Sequence, residues 1–408
     1  MNYGKLSKKL MTEMLVATLL GSALMTGCGS GSKAKTDTSS VASNIDDDKM
    51  NGETKNEAEN TEDVEETTTE ESKEEDEWAG YWTANIGDSG TCGENVTWEL
   101  RENGELVISG TGAMDDFFSG HAPKYCGDNI NTVVVEDGIT SIGESAFYHC
   151  TGITSVTIPD SVTTIGSSAF DTCNRITEIT IPDSVTSIGS FAFYSCEGLT
   201  AITLPNSITS IDSGMFDNCS WMTSITIPDS VTTIGDNAFS GCDRLVSITF
   251  PKSLDRIGIC AFEYCHSLTD ITIPDGTTTI DHNAFDGCEN LANISIPDSV
   301  TGIGSFAFYE TAWLEAQPDG IVYIGKVAYD YKGENHSDTD LVLNNDTVGI
   351  AGGAFYLDSW ITSMTIPESV TCIEYEAFED YTKMVIHGKS GSYAEEYAKE
   401  ENIEFVAE

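Results

Sequence analysis

Seven cysteines keep one interval along this chain: Cys150, Cys173, Cys196, Cys219, Cys242, Cys265 and Cys288, each 23 residues after the last. Thiolates hold zinc and thiols form disulfides, so this row is the first place to look for chemistry. A zinc site needs four ligands converging on a tetrahedron. One cysteine per constant interval makes a line instead, and the reading is a row of small buried side chains filling a turn. Neighbours in such a row stand close enough for a disulfide, since bridged Cα atoms lie ~4.4–6.8 Å apart, yet seven members cannot all pair. Cys260 and Cys372 fall at other phases. Cys92 and Cys126 precede the row and could be bridged outside the cytoplasm.

Other groups invite a chemical reading and do not sustain it. His149-Cys150 and Cys265-His266 look like ligand pairs, but the six histidines share no phase, and surface positions are expected. An aspartate follows proline at Asp160, Asp183, Asp229, Asp275 and Asp298. Stacked carboxylates would repel one another and calcium could relieve that. Asn206 and Lys252 interrupt the row, however, and aspartate is an ordinary turn former, so solvated turns are the expectation. Gly388-Lys-Ser390 has the end of a phosphate-binding loop, but Lys383 stands where its first glycine belongs. Gly110-Thr-Gly112 would need a third glycine where Asp115 stands. No serine, cysteine or aspartate sits in a nucleophile setting. No catalytic residue, cofactor or metal is expected.

The elements that must carry these residues repeat with the cysteines. Phe147, Phe170, Phe193, Phe216, Phe239, Phe262, Phe285 and Phe308 keep the same beat, preceded by alanine except at Met215. Ile158-Pro159, Ile181-Pro182, Leu204-Pro205, Ile227-Pro228, Phe250-Pro251, Ile273-Pro274 and Ile296-Pro297 keep it too. A fixed period with branched apolar residues at fixed phases is the signature of a solenoid. In Glu178-Ile-Thr-Ile181, isoleucines alternate with polar residues, which predicts a short strand with its isoleucines inside. Pro182 ends it and Asp183-Ser184 turns the chain. One unit has too little apolar surface to fold alone, so units stack, and each phase becomes a ladder in a parallel sheet.

The pattern Leu/Ile-x-x-Ile-x-Ile-Pro-x-x-Val-x-x-Ile-x-x-x-Ala-Phe-x-x-Cys resembles the BspA-type leucine-rich repeat of bacterial surface proteins, over roughly residues 130–388. Cys92-Gly-Glu-Asn-Val-Thr-Trp-Glu-Leu through Gly110-Thr-Gly-Ala-Met114 resembles the amino-terminal cap that often precedes such repeats. The resemblance implies a leucine-rich repeat solenoid of 23-residue units and extracellular adhesion to host or microbial surfaces. It brings no shared catalytic residues.

In order, the chain reads as five parts. Lys5, Lys8 and Lys9 precede an apolar run ending in Leu24-Met-Thr-Gly-Cys28, a lipoprotein-type signal peptide over 1–27 with lipid attachment at Cys28. Met25 departs from the usual leucine of that motif. Residues 28–78 are an acidic, disordered tether without apolar periodicity. Residues 79–130 form a β-rich amino-terminal cap that could join Cys92 to Cys126, and residues 131–388 hold the repeats. The rhythm breaks in an irregular unit at 309–340, whose Trp313, Tyr323, Tyr329 and Tyr331 offer further recognition candidates at one end of the outward face, with packing of the broken coil the expected alternative for Trp313 and Tyr329. Residues 389–408 form a carboxy-terminal helix-strand cap, with Ser392 and Glu395 in capping-box spacing. No second anchor is read at that end.

Net charge is −48; residues 1–28 carry +2 and residues 29–78 carry −12, so −38 remains on the folded part. Such a surface repels nucleic acid. The side chains free to recognise a partner are those that face outward from the strands. A concave face with Glu178, Thr180, Thr203, Ser224, Thr226, Thr249, Asp270, Thr272 and Asn293 is therefore the expected binding surface. The sequence predicts a monomeric, lipid-anchored, extracytoplasmic protein that binds an extracellular protein or glycan. A structural, envelope-organising protein without a dedicated ligand is the alternative.

Overall fold

A computed structural model describes residues 84–117, 125–126, 129–333, 340–356, 358, 360–378 and 384–408. The expected signal peptide, Cys28 and the acidic tether lie outside these residues. Among the described residues no helix is long and apolar enough to cross a membrane.

The repeats form a parallel-sheet solenoid of about 12 turns at ~23-residue spacing. Its front strands include Thr132–Val135, Ser155–Thr157, Glu178–Thr180, Ala201–Thr203, Ser224–Thr226, Ser247–Thr249, Asp270–Thr272 and Asn293–Ser295. The alternation seen in the sequence sets their facing: Ile179 is buried between exposed Glu178 and Thr180. Register follows the repeat, with Glu178 beside Ala201 and Thr180 beside Thr203. From Glu178 to Ser295 the front strands pair in twos.

A second strand row, not expected from the sequence, runs behind the first. It comprises two-residue strands such as Thr164–Ile165, Ser187–Ile188, Ser210–Ile211, Thr233–Ile234 and Arg256–Ile257. Each buries its isoleucine. Two residues are too few for alternation to appear in a sequence.

A third side closes the coil through the Ala-Phe step. Two residues per unit there take left-handed backbone angles, for example Ser168 (φ 52°) and Thr172 (φ 59°). The N–H groups of Ser168, Phe170 and Thr172 donate to Ser190, Ala192 and Tyr194 of the next coil, at 2.7–2.9 Å. Those of Asp171 and Cys173 donate three residues back, so the bend leaves these donors satisfied.

Inside, the phenylalanines from Phe147 to Phe308 stack with ring centroids 5.1–5.7 Å apart and planes within 20° of parallel. Those separations are offset stacking, a favourable arrangement for ring quadrupoles.

At the amino-terminal side, β1 (Ser89–Gly93), β2 (Val96–Leu100) and β3 (Glu105–Gly110) are antiparallel, and β3 pairs in parallel with Thr132–Val135. The irregular unit contains a short helix, α1 (Ala312–Glu315), and an antiparallel hairpin of Gly320–Ile324 with Val327–Lys332. Thr311 caps α1, and Lys332 Nζ donates to the carbonyls of Leu314, Glu315 and Gln317 at 2.8–2.9 Å. Last come Val385–Gly388, helix α2 (Tyr393–Glu400) and Glu404–Ala407. Ser392 opens α2 without a side-chain capping bond; Glu395 instead accepts from the Gly391 N–H.

Candidate binding face

Branched residues fill the core phases of the front strands, which leaves the alternate positions to solvent. Glu178, Thr180, Thr203, Ser224, Thr226, Thr249, Asp270, Thr272 and Asn293 are all exposed on that side. Parallel register aligns them in two rows: Ser224 stands beside Ser247, Thr226 beside Thr249, and Asp270 beside Asn293. The Thr269 hydroxyl donates to Asp270 Oδ2 at 2.8 Å, which orients that carboxylate.

Sequence reasoning missed the edge of this face. Trp221 is exposed, and the Arg244 guanidinium lies over its indole, 4.2 Å from the ring centroid. Val246 is exposed beside Ser247. The signal was a tryptophan at a phase where neighbouring units carry Arg175, Gly198, Arg244 and Ser267.

The cysteines are structural. Each thiol from Cys173 to Cys288 donates to the carbonyl of the preceding coil's phenylalanine, as Cys173 does to Phe147 at 3.1 Å. Burial raises the thiol pKa of Cys173, Cys196, Cys219, Cys242 and Cys265 far enough to withhold the thiolate that metal binding or attack requires. The suggested Cys92–Cys126 bridge is not the one formed. Cys126 pairs with Cys150, with Cα atoms 4.9 Å apart, because it sits one coil below Cys150 at the foot of the ladder. Cys92 is a free buried thiol on β1, pushed up to about 12 by burial and by Asp115. Cys260, off the ladder, occupies a left-handed position (φ 53°) on the third side.

The remaining candidates resolve into structure. His266 Nδ1 faces Asp243 Oδ1 at 2.8 Å. In the Pro-Asp-Ser turns the serines bridge coils: Ser184 donates to the Val162 carbonyl, Ser230 to Ile208 and Ser253 to Val231, at 2.6–2.7 Å. Among the described residues no group of three or more His, Cys, Asp or Glu is arranged to hold a metal ion. Trp313 and Tyr329 lie against Phe308, at 6.3 and 5.8 Å between centroids, and the Tyr329 hydroxyl accepts from the Phe308 N–H. Tyr323 accepts from the Asn344 N–H, and Tyr331 packs on Trp360.

A set of carboxylates at the phase after the phenylalanine was also missed. Burial, then Glu263 and Glu310, raises Asp286 to about 8. Burial and Glu263 raise Asp217 to about 6. Tyr194, Ser240 and Tyr309 share that phase, so no acidic row showed in the sequence.

A family model for the BspA type leucine rich repeat region matches residues 121–223, 216–333 and 322–387, in six copies. The chain belongs to that family. Solved structures similar to this BspA-type protein include a leucine-rich repeat protein from Eubacterium ventriosum, 24% identical over 74% of this chain and 84% of that one (TM-score 0.45). Another, from Bacteroides ovatus, is 19% identical over 77% of this chain and 98% of that one (TM-score 0.39). A third, described as a leucine rich cell surface protein from Faecalibacterium prausnitzii, is 23% identical over 56% and 94% (TM-score 0.29). Among curated proteins none matches.

Proposed function

We propose that this protein is a surface-binding module, held outside the cytoplasm by lipid at Cys28, whose front strand face engages a protein or glycan of a host or microbial surface. The observation that carries this reading is the division of labour within each unit. The phenylalanine, isoleucine and cysteine ladders are committed to the core, and the serines of the turns to neighbouring coils. The outward strand positions vary from coil to coil on a rigid support. Solenoids commonly present their binding surfaces in this way. The Cys126–Cys150 disulfide fits an oxidising compartment, and Gly27-Cys28 after a short apolar run fits lipidation.

Two measurements test the two halves of this reading. Cys28→Ala should abolish labelling by a fatty-acid probe; unchanged labelling would overturn the anchor. Cells lacking the protein should attach less to immobilised matrix proteins or partner bacteria while keeping normal envelope integrity. Normal attachment with a leaky envelope would instead favour an envelope-organising role.

A further inference from the structure

We propose that the part of the front face bordered by Trp221 docks an extended, basic protein segment with an apolar centre; this rests on the binding role given above. One outward row reads Glu178, Ala201, Ser224, Ser247, Asp270, a carboxylate at each end of three small uncharged side chains, all exposed. Four coil steps of ~4.8 Å put the two carboxylates about 19 Å apart. Trp221 (51% exposed) and Val246 (49%) border the uncharged stretch, three residues before Ser224 and one before Ser247. Large apolar side chains, one of them under the Arg244 guanidinium, beside an uncharged central strand stretch with carboxylates at its ends have the composition of a protein-binding hot spot.

Arg244 shapes this centre. Among the described residues it makes no ion pair, although the chain carries 67 acidic side chains, and its guanidinium lies over the indole. It therefore stiffens Trp221 and keeps a partner's cations away from the centre. Those cations are directed to Glu178 and Asp270. A strand advances ~3.3 Å per residue, so an extended segment spans the two carboxylates with basic residues about six apart and an apolar residue between them. The −38 charge of the folded part selects the same sign of partner and disfavours an acidic glycan.

The test pans a displayed random peptide library against the immobilised full chain. Enrichment should give peptides with Lys or Arg about six residues apart around an aliphatic or aromatic residue. A synthetic enriched peptide should bind at least tenfold more weakly to Trp221→Ala, to Val246→Asp and to the double variant Glu178→Lys/Asp270→Lys. It should bind nearly unchanged to Trp221→Phe, and more weakly as salt rises. Enrichment of acidic peptides, or peptide binding indifferent to Trp221→Ala and Val246→Asp, overturns the site. So does a glycan-array signal that Trp221→Ala abolishes, which would assign the face to sugar. Retained attachment to matrix by Trp221→Ala and Val246→Asp would remove this site and leave the general binding role standing. A full chain that binds neither peptide nor matrix would remove both.

Discussion

Asp286 is buried, and its Oδ1 has no hydrogen-bond partner among the described residues. Burial and the neighbouring carboxylates Glu263 and Glu310 raise it to about 8, whereas an unfolded aspartate titrates near ~3.9. Between those values the native state holds more protons than the unfolded one, so the sign of the linkage is negative. The group's contribution is fully present below about pH 4, is lost as pH climbs to about 8, and is level beyond. Asp217 (about 6) and Glu374 (about 7), both raised first by burial, act in the same direction over narrower windows. Asp286→Asn should therefore flatten the fall of the thermal midpoint between pH 5 and 8 and leave the variant more stable than the parent at pH 8.5. Melts across that range check it, and a parallel, unflattened slope would place the penalty on other groups.

Among the elements, the coil's inner stack and its amino-terminal bridge lend themselves to test. Phe193 lies between Phe170 and Phe216 at 5.4 and 5.7 Å, so Phe193→Ala should cost about 3–5 kcal/mol. In a nearly one-dimensional array the loss should appear first in adjoining coils, read as hydrogen exchange faster around residues 165–220 than near the termini. Cys126→Ser opens a bridge of sequence separation 24 and should cost about 2–4 kcal/mol, concentrated in residues 129–175. The front strands were legible because period-two alternation has a physical cause that leaves a mark in the sequence. The back strands left none, being two residues long. The left-handed bends left a partial mark: Gly214, Asn218, Asn237, Gly241, Asn283 and Gly287 occupy them, but Phe191, Phe306 and Cys260 do so too. Inter-coil hydrogen bonding holds those residues at an angle they disfavour when free. Helix α1 was hidden because four residues carry no period, and its ends are secured by Thr311 and by Lys332, well outside any local window.

At the scale of the molecule, the candidate binding face was legible as rows and not as a site. Periodicity tells which side chains face outward, and all nine expected residues do. It cannot tell which departure from the period matters, and Trp221 with Arg244 is such a departure. Charge also acts at this scale. With −38 on the folded part, self-repulsion opposes compaction, and screening should relieve it. Raising sodium chloride from 10 to 300 mM should lift the thermal midpoint by a few degrees; a fall would show that local ion pairs such as Arg256 with Asp281 outweigh the global field. The stacking of coils, each bonded to the ones before and after it, also decides how the molecule yields to tension. Pulled by its two ends, it should not rupture as a block but unwind one coil at a time, each releasing about 80 Å of contour for its 23 residues. The bridge between Cys126 and Cys150 clamps the coil it closes, so unwinding from the carboxy-terminal end should stop short of that clamp, while β1–β3, which precede Cys126, peel away separately. Single-molecule traces should then show evenly spaced steps for the regular coils, a step of different length for the irregular unit, and one further release only after reduction, the behaviour of a shock absorber with a locked last turn.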